Sequence, residues 1–262
     1  YWLDRVPKTF DFVAPGETMQ EEYYKRWSQN LDRDMEFKVY GHAGKPILVF
    51  PSACGRFYEF EDFGMVGAVS PLIEDGKIRL YTVDSVDCEA WLAHWMYPGD
   101  RGRRHDQYEN YVLREFVPFM RDHSGTTGRY MTTGCSMGAY HAANFFFKHP
   151  QHFDGVIALS GLYGPEYFVG NYMDDAVYFN FPLCYLPRLT DPTYLELYRQ
   201  SRIIICVGQG AWEEDSLRET RALEADLQVL VVPAWVDYWG ADVNHDWPWW
   251  RKQLPYFLEK CL

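Results

Sequence analysis

Positive charge is scarce in this chain of 262 residues. It has 25 lysines and arginines against 37 aspartates and glutamates, a formal net charge of −12. Nucleic acids and anionic membrane surfaces bind proteins through a positive face, so we expect neither as a partner. The one basic cluster, residues 101–105, is short and lies between Asp100 and Asp106. We expect it to form a solvated loop or to contain a structural arginine.

Long apolar runs and closely spaced cysteine pairs are also missing. No stretch approaches the roughly 20 apolar residues of a membrane-spanning helix, and none has the pattern of a signal peptide, so no integral membrane segment is expected. The six cysteines include no C-x-x-C pair, and Cys135 and Cys206 lie within apolar segments. Nothing in the spacing requires a disulfide, so we expect a reducing, cytoplasmic compartment. The chain begins at Tyr1 rather than Met, and processing or trimming of the N-terminus would produce such a start.

Aromatic residues, by contrast, are abundant, with 10 Trp, 20 Tyr and 17 Phe in a chain that is 47% hydrophobic. This composition excludes a disordered chain. The rings fit an aromatic core, a ring-lined pocket or both. A chain of this length can bury one large core, and the sequence has neither a linker nor an internal repeat. Residues 1–262 are therefore predicted to form a single domain.

Short apolar segments alternate with helix-like segments along most of the chain. Buried strands are predicted at residues 47–50, 78–84, 130–133, 153–161, 203–207 and 235–239. Nearly continuous apolar runs suit strands covered on both faces, so the predicted fold class is α/β with a mostly parallel, doubly wound sheet. Ahead of them, an irregular lead-in over residues 1–21 precedes two strands at 22–28 and 35–40.

Two long segments lack a strand pattern. Residues 85–104 are predicted to be a loop, followed by a helix over residues 106–122 in which apolar residues recur at intervals of three and four. Residues 162–200 contain four prolines among many tyrosines. We predict that this second segment is a small aromatic-rich cap insertion over a site.

The segment Gly134-Cys135-Ser136-Met137-Gly138 has the form G-x-S-x-G and lies between a predicted strand and a predicted helix. A serine in a sharp strand-to-helix turn has a strained backbone, and the flanking glycines leave room for the turn to pack. The turn raises the hydroxyl at the carboxyl edge of the sheet, beside a helix N-terminus. This is the pattern of a nucleophile elbow, so Ser136 is the candidate nucleophile.

A serine hydroxyl needs a base to remove its proton, and the base needs a carboxylate to hold its tautomer. In a sheet with such an elbow, the acid follows a later strand and the base follows the next one. Only one histidine occurs after residue 152. It is His245, which lies between the last predicted strand and the last predicted helix. We therefore predict His245 as the base.

Three carboxylates compete for the position of the acid. The strand at 203–207 leads through a glycine turn into Glu213-Glu214-Asp215. Glu213 is placed to point back over the end of the strand. Glu214 and Asp215 fit the first turn of a helix, where negative charge is favourable without a catalytic role. Glu213 is the predicted acid, and the other two stay open.

The oxyanion of an acyl-transfer intermediate is stabilised by two backbone N–H groups. One should belong to Met137, directly after the candidate nucleophile. The other should come from the small-residue turn Ser52-Ala53-Cys54 after the strand at 47–50, and Ala53 is our choice among the three.

Patterns for metal or nucleotide binding are incomplete. The pair His149-x-x-His152 has no third ligand nearby. Gly208-Gln209-Gly210 follows a strand but lacks the remainder of G-x-G-x-x-G. No metal and no cofactor is therefore predicted.

Taken together, these segments resemble the esterase D/putative esterase family of α/β-hydrolases, which includes S-formylglutathione hydrolases, feruloyl-type esterases and mycolyltransferases. The similar segments are Tyr111–Pro118, Gly134–Tyr140, His149-Pro150, Leu159-Ser160-Gly161 and His245-Asp246-Trp247. The resemblance implies an α/β-hydrolase fold, Ser136 as nucleophile, His245 as base, an acid after the penultimate strand, ester substrates, and neither cofactor nor metal. Two positions differ from the family pattern. The acid of that family is usually Asp, whereas Glu213 is predicted in this chain. The turn Ser52-Ala53-Cys54, which should supply the second oxyanion donor, contains no His-Gly.

We therefore expect a serine carboxylesterase, or lipase-like hydrolase, acting on a small-molecule ester. An acyltransferase or a thioesterase such as an S-formylglutathione hydrolase would use the same three residues with a different acceptor or donor. A third hypothesis is a non-catalytic binding protein on the same fold. The presence of all three triad residue types argues against it.

Overall fold

Eight strands form one sheet in the computed structural model, which describes residues 19–262. The strands are β1 (Glu21–Ser28), β2 (Arg33–Tyr40), β3 (Lys45–Phe50), β4 (Ile78–Val83), β5 (Tyr130–Cys135), β6 (Phe153–Leu159), β7 (Arg202–Val207) and β8 (Trp235–Tyr238). Their order is β1-β2-β4-β3-β5-β6-β7-β8. Only the β1–β2 and β2–β4 pairs are antiparallel. The predicted α/β fold class is confirmed, while the lead-in over residues 1–21 falls almost entirely outside the described residues.

Helices cover both faces of this sheet. They are α1 (Glu59–Asp62), α2 (Met65–Ala68), α3 (Ser70–Glu74), α4 (Pro98–Tyr111), α5 (Val117–Ser124), α6 (Met137–Lys148), α7 (Glu166–Val169), α8 (Asp175–Tyr178), α9 (Pro182–Tyr185), α10 (Pro192–Arg199), α11 (Glu214–Val229) and α12 (Trp247–Cys261). Within residues 19–262, none of the helices combines the length and the apolar character needed to cross a membrane.

Alternate residues of the central strands enter two different cores. In β3, Leu48 and Phe50 pack with residues of α4, α5, α6 and α11. Ile47 and Val49 point the other way and pack with residues of α2, α3 and α12. Successive side chains of a strand face opposite sides of the sheet, so an apolar run such as Ile47–Phe50 is buried on both sides. This explains why continuous apolar runs marked the strands of the sequence.

The parallel register brings the carboxyl ends of six strands, β3 to β8, to one edge of the sheet. Phe50 at the end of β3 pairs with Gly134 in β5. Cys135 pairs with Leu159 of β6, which in turn pairs with Cys206 of β7. The loops that leave β3, β5, β6, β7 and β8 therefore converge, although they are far apart in sequence.

The loop predicted over residues 85–104 was too long. Helix α4 begins at Pro98 and continues through a π-helical segment, Val112–Phe116, into α5, which ends at Ser124. Proline suits the first turn of a helix because an N–H there would have no acceptor. The basic cluster is thus helical rather than a loop. Its Arg101 is only 5% exposed and donates from Nη1 to the carbonyl oxygens of Trp91 and Phe168, so the structural arginine is present.

The segment between β6 and β7 contains four short helices, α7 to α10. Phe168 and Phe181 of this segment pack with Trp91 and with Tyr140 of α6 in a separate apolar cluster. The aromatic side chains of the predicted cap, residues 162–200, are thus partly core residues that seat the segment on α6.

One pair of cysteines forms a disulfide that the spacing in the sequence neither required nor excluded. Cys54 and Cys88, 34 positions apart, form a disulfide with their Cα atoms 5.4 Å apart. Cys135 and Cys206 are buried free cysteines, as expected. Disulfides persist mainly in oxidising compartments, so the bond removes the basis for expecting a reducing one. A cytoplasmic location stays a prediction.

Gly138 allows α6 to begin against the end of β3. A Cβ at this position would lie 2.3 Å from the carbonyl oxygen of Phe50. We expect Gly138→Ala to lower the free energy of unfolding by about 1–3 kcal/mol, the usual cost of overpacking, in urea titrations followed by tryptophan fluorescence. Gly67→Ala in α2 is the matched control, because a Cβ there would meet no atom within 4 Å. Equal stability of the two variants would contradict the close packing.

Candidate active site

Ser136 lies in the turn between β5 and α6, with φ 56° and ψ −118°. Few L-residues adopt this conformation, and it projects the side chain out of the sheet edge. A Cβ on Gly134 would lie 2.4 Å from the backbone of Gly138. The two glycines therefore let the strand and helix approach closely enough to form the turn.

The neighbouring Cys135 is not a rival nucleophile. Its side chain is 2% exposed and packs in the core on the side of α12. Burial raises the pKa of this thiol well above its usual range, so it stays protonated and unreactive.

His245 follows β8 and lies directly beside Ser136. Its Nε2 is 2.9 Å from the Oγ of Ser136. The backbone N–H of His245 donates to the carbonyl oxygen of Ala211, and the imidazole meets the ring of Trp250 edge-on at 5.0 Å between centroids. The imidazole is thus held by contacts with the loop after β7 and with α12.

Glu213 is the carboxylate that contacts His245. Its Oε2 is 3.1 Å from Nδ1 of the imidazole, and its side chain is almost completely buried. Glu214 and Asp215 lie in the first turn of α11, and Asp215 pairs with Arg218 at 2.5 Å. None of the hydrogen bonds found within residues 19–262 joins either of these two carboxylates to His245.

The hydrogen-bond directions follow from the chemistry of the three groups. A carboxylate only accepts, so Nδ1 of His245 carries the proton that is shared with Glu213. Nε2 is then free to accept from the hydroxyl of Ser136. This is the tautomer that a general base requires.

A cavity of about 270 Å³ opens in front of Ser136. Its lining includes Ala53, Leu92, Ser136, Met137, Leu162, Tyr167, Phe168, Trp212 and His245. Two larger cavities, of about 490 and 1140 Å³, are lined by neither Ser136 nor His245 nor Glu213. We regard the smaller cavity as the candidate site because it alone of the three is lined by Ser136 and His245, whose Oγ and Nε2 atoms are 2.9 Å apart.

The two predicted oxyanion donors, Met137 and Ala53, both line this cavity. Met137 is the first residue of α6, where backbone N–H groups have no acceptor within the helix. No acceptor for the N–H of Met137 or of Ala53 occurs among the hydrogen bonds of residues 19–262. Both N–H groups are therefore without a protein acceptor within the described residues.

Comparison with known proteins now identifies the family. The family model described as "Putative esterase" matches residues 28–260 of the chain. The chain belongs to this esterase family. It is a serine ester hydrolase with the α/β-hydrolase fold, as the sequence motifs predicted.

Solved structures agree with this fold. A ferulic acid esterase aligns with a TM-score of 0.73 at 16% identity, over 94% of this chain and 100% of its own. The S-formylglutathione hydrolase from Agrobacterium tumefaciens gives 0.69 at 16% identity, over 95% and 97% of the two chains. MPT51 from Mycobacterium tuberculosis gives 0.71 at 14% identity, over 92% and 97%. No curated protein matches the sequence.

In this esterase the turn that carries Ala53 is held from two sides. We call residues Ser52–Cys54 the oxyanion turn. The carboxylate of Glu59 accepts from the backbone N–H and from the hydroxyl of Ser52, both at 2.7 Å. Burial raises the pKa of Glu59, and the two bonds from Ser52 act in the opposite direction. On the other side, Cys54 is tied to Cys88 by the disulfide.

Backbone strain is concentrated around the cavity. Six non-glycine residues of the described chain have positive φ, and four of them lie in loops at this edge of the sheet: Cys54, Ser136, Ser160 and Trp212. The left-handed region costs an L-residue about 1–2 kcal/mol. Trp212 combines such a backbone with a side chain that is 84% exposed at the rim of the cavity. Strain of this kind is typical of functional sites.

Three residues around the site were not found from the sequence. Glu59 binds Ser52 of the oxyanion turn, Ser160 contacts Glu213, and Trp250 contacts His245. Only Ser160 had a sequence signal, because it directly follows β6 at the edge where the other site residues lie. Glu59 and Trp250 belong to helices with no motif, so their roles depend on tertiary contacts.

The disulfide should stabilise the fold and the oxyanion turn together. Closing a loop of this length contributes about 3–4 kcal/mol in the chain-entropy model. We expect the double variant Cys54→Ser/Cys88→Ser to lose about that much stability in urea titrations and to hydrolyse p-nitrophenyl acetate more slowly. Cys184→Ser, which replaces a half-buried free cysteine, should behave like the unaltered protein. Unchanged stability of the unaltered protein after reduction would contradict the role of the bond.

Proposed function

We propose that this esterase hydrolyses small carboxylic esters through an acyl-enzyme on Ser136, with His245 as general base and Glu213 as the acid that orients it. The observation that supports this proposal is the continuous hydrogen-bonded chain from Ser136 through His245 to the buried Glu213, facing the cavity. The 162–200 segment is proposed to act as a cap within one domain, since Leu162, Tyr167 and Phe168 line that cavity.

In the first half-reaction the Oγ of Ser136 attacks the ester carbonyl carbon while Nε2 of His245 takes the hydroxyl proton. The carbonyl oxygen becomes an oxyanion that the N–H groups of Met137 and Ala53 would bind. Loss of one such donor typically costs about 3–4 kcal/mol of transition-state stabilisation. The tetrahedral intermediate collapses, the alkoxide leaves with the proton from His245, and the acyl group stays on Ser136.

In the second half-reaction water replaces the alcohol. His245 takes a proton from the water as its oxygen attacks the acyl carbon, and the same two N–H groups bind the second oxyanion. Collapse of this intermediate releases the carboxylic acid and returns the proton to Ser136. Throughout, Glu213 stabilises the positive charge that His245 carries between the two proton transfers.

The cavity indicates an ester with a compact group near Ser136. The inner lining includes the apolar Leu92, Leu162 and Phe168, and the volume of about 270 Å³ suits a small acyl or alcohol group. Tyr167 and Trp212 are more than half exposed at the same cavity, where they can contact a part of the ester that extends beyond it.

Removal of the nucleophile is the direct test of the mechanism. We expect Ser136→Ala and His245→Ala each to lower kcat for p-nitrophenyl acetate by about 10⁴-fold or more, because the two groups act as a unit. Ser136→Ala should also lose labelling by a fluorophosphonate. Ser70→Ala on α3 is the matched control and should keep both activity and label. Near-normal hydrolysis by Ser136→Ala, or no hydrolysis and no labelling of the unaltered protein, would refute the proposal.

A pair of isosteric variants tests the choice of acid. Glu213→Gln keeps the size of the side chain but removes the charge that holds the tautomer of His245, so kcat should fall by about 10³–10⁴-fold. Glu214→Gln should stay within about twofold, because Glu214 does not contact the imidazole. Circular dichroism of both variants checks that the fold is kept. A severe loss in Glu214→Gln instead would assign the acid to that residue.

A further inference from the structure

Ser160 lies beside Glu213 and is one of the residues that line the cavity in front of Ser136. It follows β6, and its Oγ is 2.6 Å from the Oε1 of Glu213. The same Oγ is 3.1 Å from the indole Nε1 of Trp250. Ser160 therefore joins the proposed acid to helix α12 within the buried edge of the sheet.

The direction of these two hydrogen bonds is set by the chemistry of the indole. An indole N–H can only donate, so the hydroxyl of Ser160 accepts from Trp250. Its single proton is then left for the carboxylate of Glu213. The hydroxyl of Ser160 therefore donates to Oε1 of Glu213, because its interaction with Trp250 uses it as an acceptor.

The two oxygens of Glu213 consequently have different partners. Oε1 accepts from Ser160 at 2.6 Å and from the backbone N–H of Gly208 at 3.3 Å. Oε2 faces Nδ1 of His245. Of the two bonds on Oε1, the one from Ser160 is much the shorter, so it does more to fix the rotation of the carboxylate about its last torsion.

The backbone at Ser160 would suit glycine better than serine. Ser160 has φ 59° and is 1% exposed. The conformation is held by a hydrogen bond from its own N–H to the carbonyl oxygen of Cys206 at 2.8 Å. A glycine would adopt it without strain. Serine differs from glycine here by its hydroxymethyl group, and the hydroxyl of Ser160 donates to the carboxylate of Glu213.

Trp250 contacts both ends of the arrangement. Its N–H donates to Ser160, and its ring meets the imidazole of His245 edge-on. One side chain of α12 thereby sets the position of Ser160 relative to His245, with Glu213 between them.

From this geometry we infer that Ser160 is a positioning residue of the reaction, which holds the carboxylate of Glu213 so that Oε2 stays directed at His245. The inference rests on the proposed function of Glu213. A glutamate has one more rotatable bond than an aspartate, and the hydroxyl of Ser160 restrains that extra freedom. Ser160 acts through Glu213 and does not itself touch the reacting atoms.

The test compares Ser160→Gly with the unaltered protein. Glycine removes the hydroxyl, which leaves the indole N–H of Trp250 without this acceptor, but it also relieves the backbone strain, so the variant should still fold. We expect kcat for p-nitrophenyl acetate to fall about 10- to 100-fold, as for the loss of a hydrogen bond to a charged group, with KM within about twofold. Ser201→Ala is the matched control, because its hydroxyl donates to the carbonyl oxygen of Leu197 at the other end of the sheet.

A second measurement separates positioning from general stabilisation. If Ser160 acts through Glu213, adding Ser160→Gly to Glu213→Gln should lower kcat by less than about twofold further. The downfield proton signal of the imidazole Nδ1–H should also shift or broaden in Ser160→Gly but not in Ser201→Ala. Ser160→Ala, which keeps the strain, should match Ser160→Gly in kcat.

The outcomes distinguish this inference from the proposed function. Retention of kcat within about twofold in Ser160→Gly, while Glu213→Gln is severely impaired, would overturn the positioning role and leave the triad standing. An equally large loss of kcat on adding Ser160→Gly to Glu213→Gln would also overturn it. Full activity of Glu213→Gln would instead refute the acid, and the inference with it.

Discussion

The strained backbone at Ser136 is the constraint on which the rest of the site depends. Its φ of 56° exists because β5 and α6 meet at a sharp turn, and that turn exists because Gly134 and Gly138 allow backbone contact. The same close approach seats the first turn of α6 against the end of β3. Met137 at the start of α6 and Ala53 of the oxyanion turn thereby line the same cavity as the hydroxyl of Ser136.

The sheet holds the strained loops around the site in place. The ends of β3, β5, β6 and β7 lead to Cys54, Ser136, Ser160 and Trp212, each in a backbone conformation that an L-residue rarely adopts. Such conformations persist only when the surroundings hold them. Here the apolar side chains on both faces of the strands hold the strand ends from which these loops leave, and the disulfide holds the loop at Cys54. A core that is apolar on both faces is thus a condition for the geometry of the site.

The acid illustrates how the surroundings determine what a residue does. Glu213, Glu214 and Asp215 are adjacent in sequence, yet only Glu213 is buried against His245. Glu213 is the N-cap residue of α11, and its Oε1 accepts from the backbone N–H of Gly208, directly after β7. The next two residues begin the helix and project to its outer face. Glu213 differs from its two neighbours because it is buried and contacts the hydroxyl of Ser160, the backbone N–H of Gly208 and the imidazole of His245.

The sequence by itself determined the fold class, the strands, the elbow and the order of the candidate acid and base. These features depend on local pattern, since a buried strand is a run of apolar residues and an elbow is five consecutive positions. The start of α4 at Pro98 was missed because its first turns are polar and lack apolar periodicity.

Three contacts were decided only by the tertiary structure: Ser160 with Glu213, Glu59 with Ser52, and Cys54 with Cys88. The Ser160 and Cys54 contacts join loops that are 53 and 34 positions from their partners, and Glu59 reaches Ser52 across a turn that no motif marks. Pairing of this kind is set by the register of the sheet and the path of its loops, which no periodicity in the chain encodes.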